Sequence, residues 1–517
     1  MSPEWMQGAP KEYDSVLVAN RGEIAVRVLR AVKESGLRAV AVYSEADSES
    51  LHVEIADEAV LLPGESLSEN YLNAEAIIEA AKSTGANAIH PGYGFLSERA
   101  DFAREVSENG IIWIGPDAES IEIMGDKISA RSRMISSGVP VIPGDEVAIP
   151  EGGAHLGPLA VAAAKVGYPL LLKASAGGGG KGMRVVREPK MLRTEYEAAA
   201  REAAAAFGDG TVYVERLLTG ARHVEIQVLA DSTGNCIHLN ERDCSLQRRH
   251  QKVIEEAPSP AVSNSVRESM GKAAVMAAKA VNYVGAGTVE FLLSSNGDFY
   301  FLEMNTRLQV EHPVTEMITG VDLVQKQLEI AAGLEMGISQ SEVSLSGHAI
   351  EARIYAEDAT RGFLPAIGKL STWITPSGPG IRVDSGVRQG DEVTVNFDPM
   401  LAKLVVHAPT RKAALRRMDV ALSNFVALGV VTNIGFLRNA LSHPAFISGN
   451  VTTDLLDSSD ISEFSDPEPP IEALVSIAEA ALRMGLDKTH AGASSNPVDE
   501  HTGHSGDPFR TLSRSYP

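Results

Sequence analysis

The sequence predicts an α/β region followed by α+β regions along a chain of 517 residues. Three observations carry this prediction. Residues 14–45 read as strand, amphipathic helix and strand, the βαβ opening of an open parallel sheet. Polar and apolar residues alternate over 222–231, and Asn296-Gly297 gives a hairpin signal further on. Short strands and helices mix again after residue 346. A chain of this length is expected to form about two to four domains.

The composition argues against several classes of protein. A formal net charge of −22 disfavours nucleic acid as the main partner. No apolar run approaches the roughly 18 residues of a membrane span. The opening MSPEWMQGAP lacks the basic and apolar regions of a secretory signal, and Cys236 and Cys244 lack metal-ligand spacing. We therefore expect a cytoplasmic protein that does not bind a membrane.

The first region is predicted to be a parallel sheet with helices. The apolar run DSVLVAN leads through a tight turn at residues 21–23 into a helix that Gly36 ends. The turn lacks G-x-G-x-x-G, so it is not a dinucleotide fingerprint. A helix at 73–84 and strands at 88–90 and 111–114 continue the pattern, and a single helix at 118–137 carries Lys127.

Two glycine-rich loops are candidates for ligand contact. Residues 177–182 follow a strand that ends at Lys173, and glycine backbone can wrap phosphates closely. A P-loop would continue as Gly-Lys-Ser/Thr into a helix, whereas here Gly182 follows Lys181 and a β-branched strand follows. The loop is therefore predicted to be a hairpin flap, with a plain flexible loop as the alternative. The loop at 90–95 is either functional or a structural turn.

The predicted hairpin at 287–305 brings acidic side chains together. If Asn296-Gly297 form a two-residue turn, Glu290 lies directly opposite Glu303, and Asn305 projects from the same face. We expect no basic residue to pair with them. Carboxylate and amide oxygens suit Mg²⁺ or Mn²⁺, which bind substrate phosphates. Two exposed acids on a hydrated sheet face are the alternative.

Basic residues concentrate just before this hairpin. Arg248, Arg249, His250 and Lys252 fall within five residues, which in so acidic a chain indicates an anion site. The alternating strand before them places three polar side chains on one face, namely His223, Glu225 and Gln227.

These stretches together resemble the biotin carboxylases, the ATP-grasp subunits of biotin-dependent acyl-CoA carboxylases. The resemblance rests on EMNTRLQVEHP at 303–313, KASAGGGGKGMRVV at 173–186 and ERDCSLQRRHQKVIEEAP at 241–258. HPGYGFLSE at 90–98 and ANRGEIAVR at 19–27 also match this family, and the similarity covers roughly residues 14–455. It implies that ATP phosphorylates bicarbonate to carboxyphosphate, whose CO₂ carboxylates biotin held on a carrier protein.

The resemblance also implies a domain organisation. We expect a Rossmann-like N-terminal domain at 1–128, an ATP-grasp domain with a glycine-rich lid at 129–345 and an α+β C-terminal domain at 346–456. Residues 457–517 hold 11 acidic and 4 basic residues and are rich in Ser, Pro and Gly. They are predicted to form a disordered tail, apart from a possible helix at 471–483.

Residue roles follow from the resemblance, position by position. The ATP site is implied at Lys127, Lys173, Gly179, Gly180, Glu215, Arg216, Leu217, Leu218, His223 and His250. The metal ligands are implied at Glu290, Glu303 and Asn305. The bicarbonate site is implied at Lys252, Arg307, Gln309 and Val310. Glu311 matches the base that deprotonates bicarbonate, and Arg353 matches the residue that stabilises the biotin enolate. In an extended run, Arg307 and Glu311 could both reach one anion.

The implied cofactors are ATP, Mg²⁺ or Mn²⁺, and biotin. The implied partners are bicarbonate, a biotin carboxyl carrier protein and a carboxyltransferase subunit, and the chain is expected to form a homodimer. No Met-Lys-Met attachment site occurs, so the carrier is expected to be a separate chain. The alternatives are another ATP-grasp ligase, such as half of a carbamoyl-phosphate synthetase, and a non-catalytic assembly paralogue. Arg353 argues against the first, and the presence of Lys252, Arg307 and Glu311 argues against the second.

Overall fold

The computed structural model describes residues 2–149, 156–175 and 183–460, together with positions 464, 471–472, 475–476 and 479. Met1–Ser465 form one compact unit and Asp466–Pro517 a second. In the second unit the described positions are helical, within the helix predicted at 471–483, and Ile471 and Val475 are exposed there. The sheets and the numbered helices belong to the first unit.

The N-terminal region is a parallel sheet, as predicted. Its strands are β1 (Ser15–Val18), β2 (Arg38–Tyr43), β3 (Glu58–Leu61), β4 (Ala88–His90) and β5 (Ile112–Trp113). Its helices are α1 (Gly22–Glu34), α2 (Leu51–Ile55), α3 (Ala74–Thr84) and α4 (Ala100–Glu108). The strand order is β3-β2-β1-β4-β5, and every residue of β1 is buried. Strands covered on both faces read as continuous apolar runs, which explains why DSVLVAN could be recognised.

The single helix predicted at 118–137 is in fact two helices, α5 (Ala118–Gly125) and α6 (Lys127–Ser136). Asp126 separates them in an extended conformation, and its carboxylate accepts a hydrogen bond from the backbone N–H of Ser129. Aspartate is a favoured N-cap because its oxygen satisfies an N–H that the first helical turn leaves free. Lys127 consequently lies at the start of α6.

A second, antiparallel sheet has the strand order β6-β9-β7-β8. Its strands are β6 (Gly144–Ile149), β7 (Leu170–Ala174), β8 (Arg184–Val186) and β9 (Val212–Arg216). Its helices are α7 (Leu156–Val166) and α8 (Leu192–Phe207). The strands predicted on either side of the glycine-rich loop are present as β7 and β8. The loop itself, with Gly179 and Gly180, lies outside the described residues.

From residue 222 onwards the first unit is built of fourteen strands and seven helices in the part of the chain that the structure describes. The strands are β10 (Arg222–Ala230), β11 (Cys236–Arg248), β12 (Gln251–Ala257), β13 (Gly285–Leu293), β14 (Phe299–Asn305), β15 (His348–Tyr355), β16 (Glu357–Asp358), β17 (Leu364–Pro365), β18 (Gly368–Lys369), β19 (Thr372–Ile374), β20 (Ile381–Ser385), β21 (Glu392–Val393), β22 (Met400–Ala408) and β23 (Val426–Leu428). The helices are α9 (Asn264–Lys279), α10 (His312–Thr319), α11 (Leu323–Ala331), α12 (Arg411–Ser423), α13 (Ile434–Ser442), α14 (Pro444–Ser448) and α15 (Leu455–Ser458).

One long antiparallel sheet, which we call the central sheet, has the order β14-β13-β10-β11-β12-β15-β22-β20. It crosses the domain boundary predicted at 345/346, because β12 pairs with β15 in a register that sets Ile254 opposite Ala352. The backbone hydrogen bonds of the two expected domains therefore form one sheet. Side chains from both can meet on a single face of it.

The predicted pairing of Glu290 with Glu303 is confirmed in the β13–β14 hairpin, although the turn and the register next to it differ from the prediction. Its turn is longer than two residues: the Gly297 N–H donates to the Ser294 carbonyl, and the Ser294 N–H donates to the Asp298 carbonyl. Near the turn the register is therefore shifted by one, with Leu292 opposite Tyr300. A bulge next to Glu290 restores the predicted register, as an inserted residue does in an antiparallel pair.

The packed part of the chain extends beyond residue 456, where the tail was predicted to begin. Helix α15 runs to Ser458, and the side chain of Phe464 is 1% exposed. The Phe464 ring lies 5.9 Å from that of Phe436 and 5.2 Å from that of His443. The predicted boundary was wrong because one aromatic residue in a polar, acidic stretch gives no periodic signal.

Candidate active site

A cavity of about 750 Å³ gathers side chains from β7, β9, the central sheet and the loop after β4. This volume is typical of a small-molecule site. The residues predicted to bind ATP, metal and bicarbonate line it, with three exceptions. Glu311 is fully buried, and Gly179 and Gly180 lie outside the described residues.

The predicted metal ligands meet at the end of the hairpin. Asn305 Nδ2 donates a hydrogen bond to Glu290 Oε1 at 2.8 Å. Basic side chains from other elements contact both acids, contrary to the expectation from the hairpin alone. Lys252 Nζ lies 2.9 Å from Glu290, and Lys127 Nζ lies 3.7 Å from Glu303. The acids are thus part of a charged cavity wall and not a hydrated sheet face.

These three residues suit a hard divalent cation. Burial disfavours the charge on Glu290, but Lys252 and His223 outweigh it and hold the pKa of this carboxyl well below its usual range. The Glu303 side chain is 33% exposed and borders the cavity. Asn305 presents its nitrogen to Glu290, and a half-turn of the amide exchanges nitrogen and oxygen. Two carboxylates and one amide oxygen are donors that Mg²⁺ accepts, so these residues could hold it.

The ammonium of Lys252 lies at the centre of a group of buried acids. Its Nζ is 2.6 Å from Glu225, 2.9 Å from Glu290 and 2.5 Å from Glu311. Burial disfavours its charge, but the three carboxylates raise the pKa of Lys252 well above its usual value. The ligand atoms of Glu225, Cys244 and Glu311 are close enough for a metal ion. Lys252 already supplies the positive charge at that point.

Glu311 is an ionised carboxylate between two cations. One oxygen is 2.5 Å from Lys252 Nζ, and the other accepts a hydrogen bond from Arg353 Nη2 at 2.9 Å. Burial disfavours its charge, but Lys252, Arg353 and Arg242 hold the pKa of Glu311 well below its usual range. Arg353 also donates to Glu255 at 2.6 Å. These cations favour the deprotonated form of Glu311.

Arg307 lies at the cavity wall, but the extended run predicted from Arg307 to Glu311 is wrong. The chain turns at 310–311 and enters α10 at His312. Arg307 Nε donates to Glu98 at 2.8 Å, and its Nη1 donates to Gln309 at 3.1 Å. Glu98 follows the loop at 90–95 whose role the sequence left open. Tyr93 and Gly94 of that loop line the cavity.

The cavity is also lined by most of the residues predicted to hold a nucleotide. Lys173 Nζ donates to Glu215 at 2.8 Å, and Arg131 Nη1 lies 3.3 Å from the same carboxylate. Burial disfavours the charge on Lys173, but Glu215 and Tyr213 outweigh it and raise the pKa of this amine. Glu215 thus has two cationic partners and would keep one if Lys173 turned to a phosphate. The neighbouring lining residues include Arg216, Leu217, Leu218, His223 and His250.

The basic cluster at 248–252 is only partly an anion site. His250 and Lys252 line the cavity, whereas Arg248 stacks on Phe363 with 3.8 Å between its guanidinium carbon and the ring centre. The backbone N–H of Arg249 donates to Asp457 at 3.2 Å. These residues fall at the β11–β12 turn, where neighbouring side chains point in different directions, so closeness in sequence misled the prediction.

Several residues of the site were not predicted to act there. Glu225 was noted only as a polar neighbour of His223, yet it bonds Lys252 and accepts from Arg242 Nε at 2.5 Å. The sequence could have predicted that Glu225 is buried only if Lys252 and Arg242 had been known to contact it. Residues from the last helix region also line the cavity, namely Thr453, Asp454 and Asp457. A polar stretch so far along the chain gave no signal.

Family models match nearly the whole described chain. The model "Biotin carboxylase, N-terminal domain" matches residues 12–121, and "Biotin carboxylase C-terminal domain" matches residues 351–458. Between them, "Carbamoyl-phosphate synthase L chain, ATP binding domain" matches residues 126–339. In the part of the chain that the structure describes, no helix is long and apolar enough to cross a membrane.

Curated relatives are about half identical to the chain. It is similar to the biotin carboxylase of Nostoc sp., with 49% identity over 86% of this chain and 99% of that protein. It is 51% identical to the biotin carboxylase of Halalkalibacterium halodurans, over 85% of this chain and 96% of that protein. It is also 51% identical to the mitochondrial methylcrotonoyl-CoA carboxylase subunit alpha of Dictyostelium discoideum, over 92% of this chain and 67% of that protein.

Solved structures share the fold. The biotin carboxylase domain dimer of Hydrogenobacter thermophilus 2-oxoglutarate carboxylase, with MgADP, ADP and bicarbonate, aligns with a TM-score of 0.85 and 47% identity, over 88% of this chain and 99% of that one. The biotin carboxylase–β,γ-ATP complex from Campylobacter jejuni aligns with a TM-score of 0.84 and 46% identity, over 87% of this chain and 99% of that one. Rhizobium etli pyruvate carboxylase aligns with a TM-score of 0.84 and 43% identity, over 91% of this chain and 42% of that one.

Proposed function

This chain belongs to the biotin carboxylase family, and from that premise we propose that its cavity carries out the ATP- and bicarbonate-dependent carboxylation of biotin. The observation that carries the proposal is the placement of Glu311 between Lys252 and Arg353, beside a nucleotide-sized cavity. Such a centre can bind a small anion and remove its proton. The carbamoyl-phosphate synthase model covers only the ATP-binding part, so it indicates the nucleotide chemistry and not a different acceptor.

ATP and Mg²⁺ serve this reaction, and biotin is the acceptor. When bound at Glu290, Glu303 and Asn305, Mg²⁺ would neutralise charge between the β- and γ-phosphates, and phosphoryl transfer depends mainly on such positioning and charge. Lys127 and Lys173 border the same part of the cavity and would contact the phosphates. The Hydrogenobacter domain was solved with MgADP and bicarbonate, which supports a magnesium nucleotide and bicarbonate as ligands of this cavity.

Lys252 and Arg307 would bind bicarbonate. Arginine stays charged and offers a planar pair of donors that fits a carboxylate-like anion. As Lys252 transfers part of its contact to the substrate, the pKa of Glu311 would rise, because Lys252 is the strongest of the cations that hold it low in the present arrangement. Glu311 would then take the bicarbonate proton. The oxygen so released attacks the γ-phosphorus, ADP leaves, and carboxyphosphate forms.

Arg353 would serve the second half of the reaction. Carboxyphosphate would break down to CO₂ and phosphate, and this phosphate would take the ureido N–H proton of biotin. The Arg353 guanidinium lines the cavity and would stabilise the resulting enolate, whose ureido nitrogen attacks CO₂. Tyr93 and Gly94 border the cavity on the loop after β4 and would form part of the wall of the biotin site.

The biotin would be presented by a carboxyl carrier protein, and a carboxyltransferase would use the carboxybiotin. The relatives are named for methylcrotonoyl-CoA, 2-oxoglutarate and pyruvate carboxylases, so the acceptor differs while the biotin step is shared. The chain spans about two thirds of the methylcrotonoyl-CoA carboxylase subunits it matches and nearly all of the biotin carboxylases. We also propose a homodimer, as in the Hydrogenobacter domain, and a cytoplasmic location, which the small number of cysteines favours.

Side-by-side assays of ADP release and carboxybiotin formation test this function. With free biotin, ATP, Mg²⁺ and bicarbonate, both products should form, and removing bicarbonate or chelating Mg²⁺ should stop both. ADP release at the same rate with and without bicarbonate, or bicarbonate-dependent ADP release without any carboxybiotin, would contradict the proposal.

A further inference from the structure

Lys403 is a buried cation to which the proposed reaction assigns no role. It lies on β22 directly opposite Arg353 on β15, and its side chain is 0% exposed. Directly opposed like charges on a sheet repel each other, and a buried charge is costly unless it is paired. Two such cations can be kept side by side only where each has strong partners of its own.

The partners of these two cations are consecutive residues of one loop. Arg353 Nη2 donates to the carboxylate of Glu311 at 2.9 Å, and Lys403 Nζ donates to the backbone carbonyl of Val310 at 2.9 Å. His312 Nδ1 lies 2.7 Å from the carbonyl of Gln309. The main chain that leads to Glu311 is therefore held by two side chains, those of Lys403 and His312, that do not line the cavity.

Two acids hold the ammonium of Lys403 in place. Glu23 on α1 lies 3.1 Å from Nζ, and Asp384 on β20 lies 3.8 Å from it. Burial disfavours the charge on Lys403, but Glu23, Glu351 and Asp384 together outweigh it and raise the pKa of this amine. Glu23 also accepts a hydrogen bond from the hydroxyl of Tyr93, which lines the cavity. Lys403 thereby joins the loop of Glu311 to the N-terminal region.

We propose that Lys403 is a positioning residue for bicarbonate activation: its ammonium fixes the carbonyl of Val310 and thereby the placement of Glu311 against the bound anion. Lys403 is not among the residues that line the cavity, so it acts through the loop. The inference rests on the proposed function, because it takes Glu311 as the base. A misplacement of about 1 Å at a reacting group can cost roughly 10²-fold in rate.

The variant Lys403→Met removes the donor to Val310 but also leaves Glu23 without its cation. Because that loss could prevent folding, the decisive protein is the double variant Lys403→Met/Glu23→Gln, in which the buried charges balance again. We expect its melting temperature to lie near that of Glu23→Gln alone. Relative to Glu23→Gln alone, we also expect its KM for bicarbonate to rise about tenfold or more and its carboxybiotin yield per ADP to fall, with the KM for ATP unchanged within about twofold.

Arg267→Met is the matched control, because it removes another cation that is bonded to a fully buried acid, Glu241, outside the cavity lining. It should lower the melting temperature and leave the KM for bicarbonate unchanged. A double variant with a normal KM for bicarbonate and a normal product ratio would overturn the role of Lys403. Failure of the wild-type protein to form carboxybiotin from bicarbonate would instead overturn the proposed function.

Discussion

The parallel sheet and the central sheet both bury side chains completely, but the buried side chains are mostly apolar in β1 and include paired charges in the central sheet. In β1, Val16, Leu17 and Val18 are all unexposed and pack on apolar neighbours. In the central sheet, Arg242 and Glu225 are equally unexposed, yet they are held by bonds such as Arg242 Nε to Glu225 at 2.5 Å. The first region relies on non-directional apolar burial, and the second relies on directed pairing of charges.

This difference determines how each region should respond to substitution. A smaller apolar side chain in the parallel sheet loses contacts in proportion to the atoms removed. Removing one partner of a buried ion pair leaves the other charge uncompensated, at a cost of about 3–5 kcal/mol. Substitutions of buried charges in the central sheet should therefore change both the stability and the activity, whereas apolar substitutions in the parallel sheet should change the stability alone.

The largest effect is expected from Glu311→Gln. The amide keeps the size of the side chain but cannot take a proton, so biotin carboxylation and bicarbonate-dependent ADP release should fall by about 10²–10⁴-fold. Nucleotide affinity should persist, because Lys127 and Lys173 remain. Both rates and the affinity for ATP are to be measured together.

The control for this variant is Glu351→Gln. Burial raises the pKa of Glu351 well above its usual value, and neither of its oxygens has a hydrogen-bond partner among the described residues. Glutamine mimics a protonated carboxyl, so this change should leave activity near normal. Near-normal carboxylation in Glu311→Gln, or an equal loss of carboxylation in Glu351→Gln, would contradict the assignment of the base to Glu311.

Arg353→Ala should have the next largest effect and should separate the two half-reactions. Loss of a stabilising cation at a developing negative charge typically costs about 10²–10³-fold. Carboxybiotin formation should fall by this factor, while slow bicarbonate-dependent ADP release persists. Equal loss of both activities would show that Arg353 acts on bicarbonate and not on biotin.

Loss of Phe464, with its ring contacts and the hydrogen bond from Asn439 Nδ2 to its carbonyl at 3.2 Å, should change stability alone. Truncation after Ser465 keeps Phe464, whereas truncation after Ser459 removes it from its contacts with Phe436 and His443. The shorter protein should lose about 3–5 kcal/mol in the free energy of unfolding, the usual cost of deleting a buried phenylalanine. Denaturant titration of both proteins checks this, and equal stability would mean that Phe464 contributes nothing.

The smallest effect is expected from Ile89→Val in β4. Ile89 is 0% exposed, and removal of one methylene there should cost about 0.5–1.5 kcal/mol. The rate of carboxylation should remain normal at temperatures where the protein is folded. A clear fall in rate with so small a change in stability would show that the parallel sheet also sets the geometry of the site.

Local patterns predicted part of the candidate site. The pairing of Glu290 with Glu303 followed from the hairpin, because residues of one hairpin are constrained by a short loop. The turn itself was predicted one residue too short, and the bulge next to Glu290 corrected the register. Most other site residues were found by resemblance of ordered motifs, and no local rule would have brought Lys127 and Arg353 into one cavity.

By itself, the sequence determined the kinds of element, the bounds of several of them and the motifs of the family, because these depend on periodicity, turn residues and short-range spacing. The tertiary structure decided which charge meets which. Lys252 bonds acids from three other strands or loops, and Lys403 bonds the carbonyl of Val310. A buried charge pairs with the opposite charge that the fold places within a few ångströms of it. That distance depends on how the strands align across the sheet.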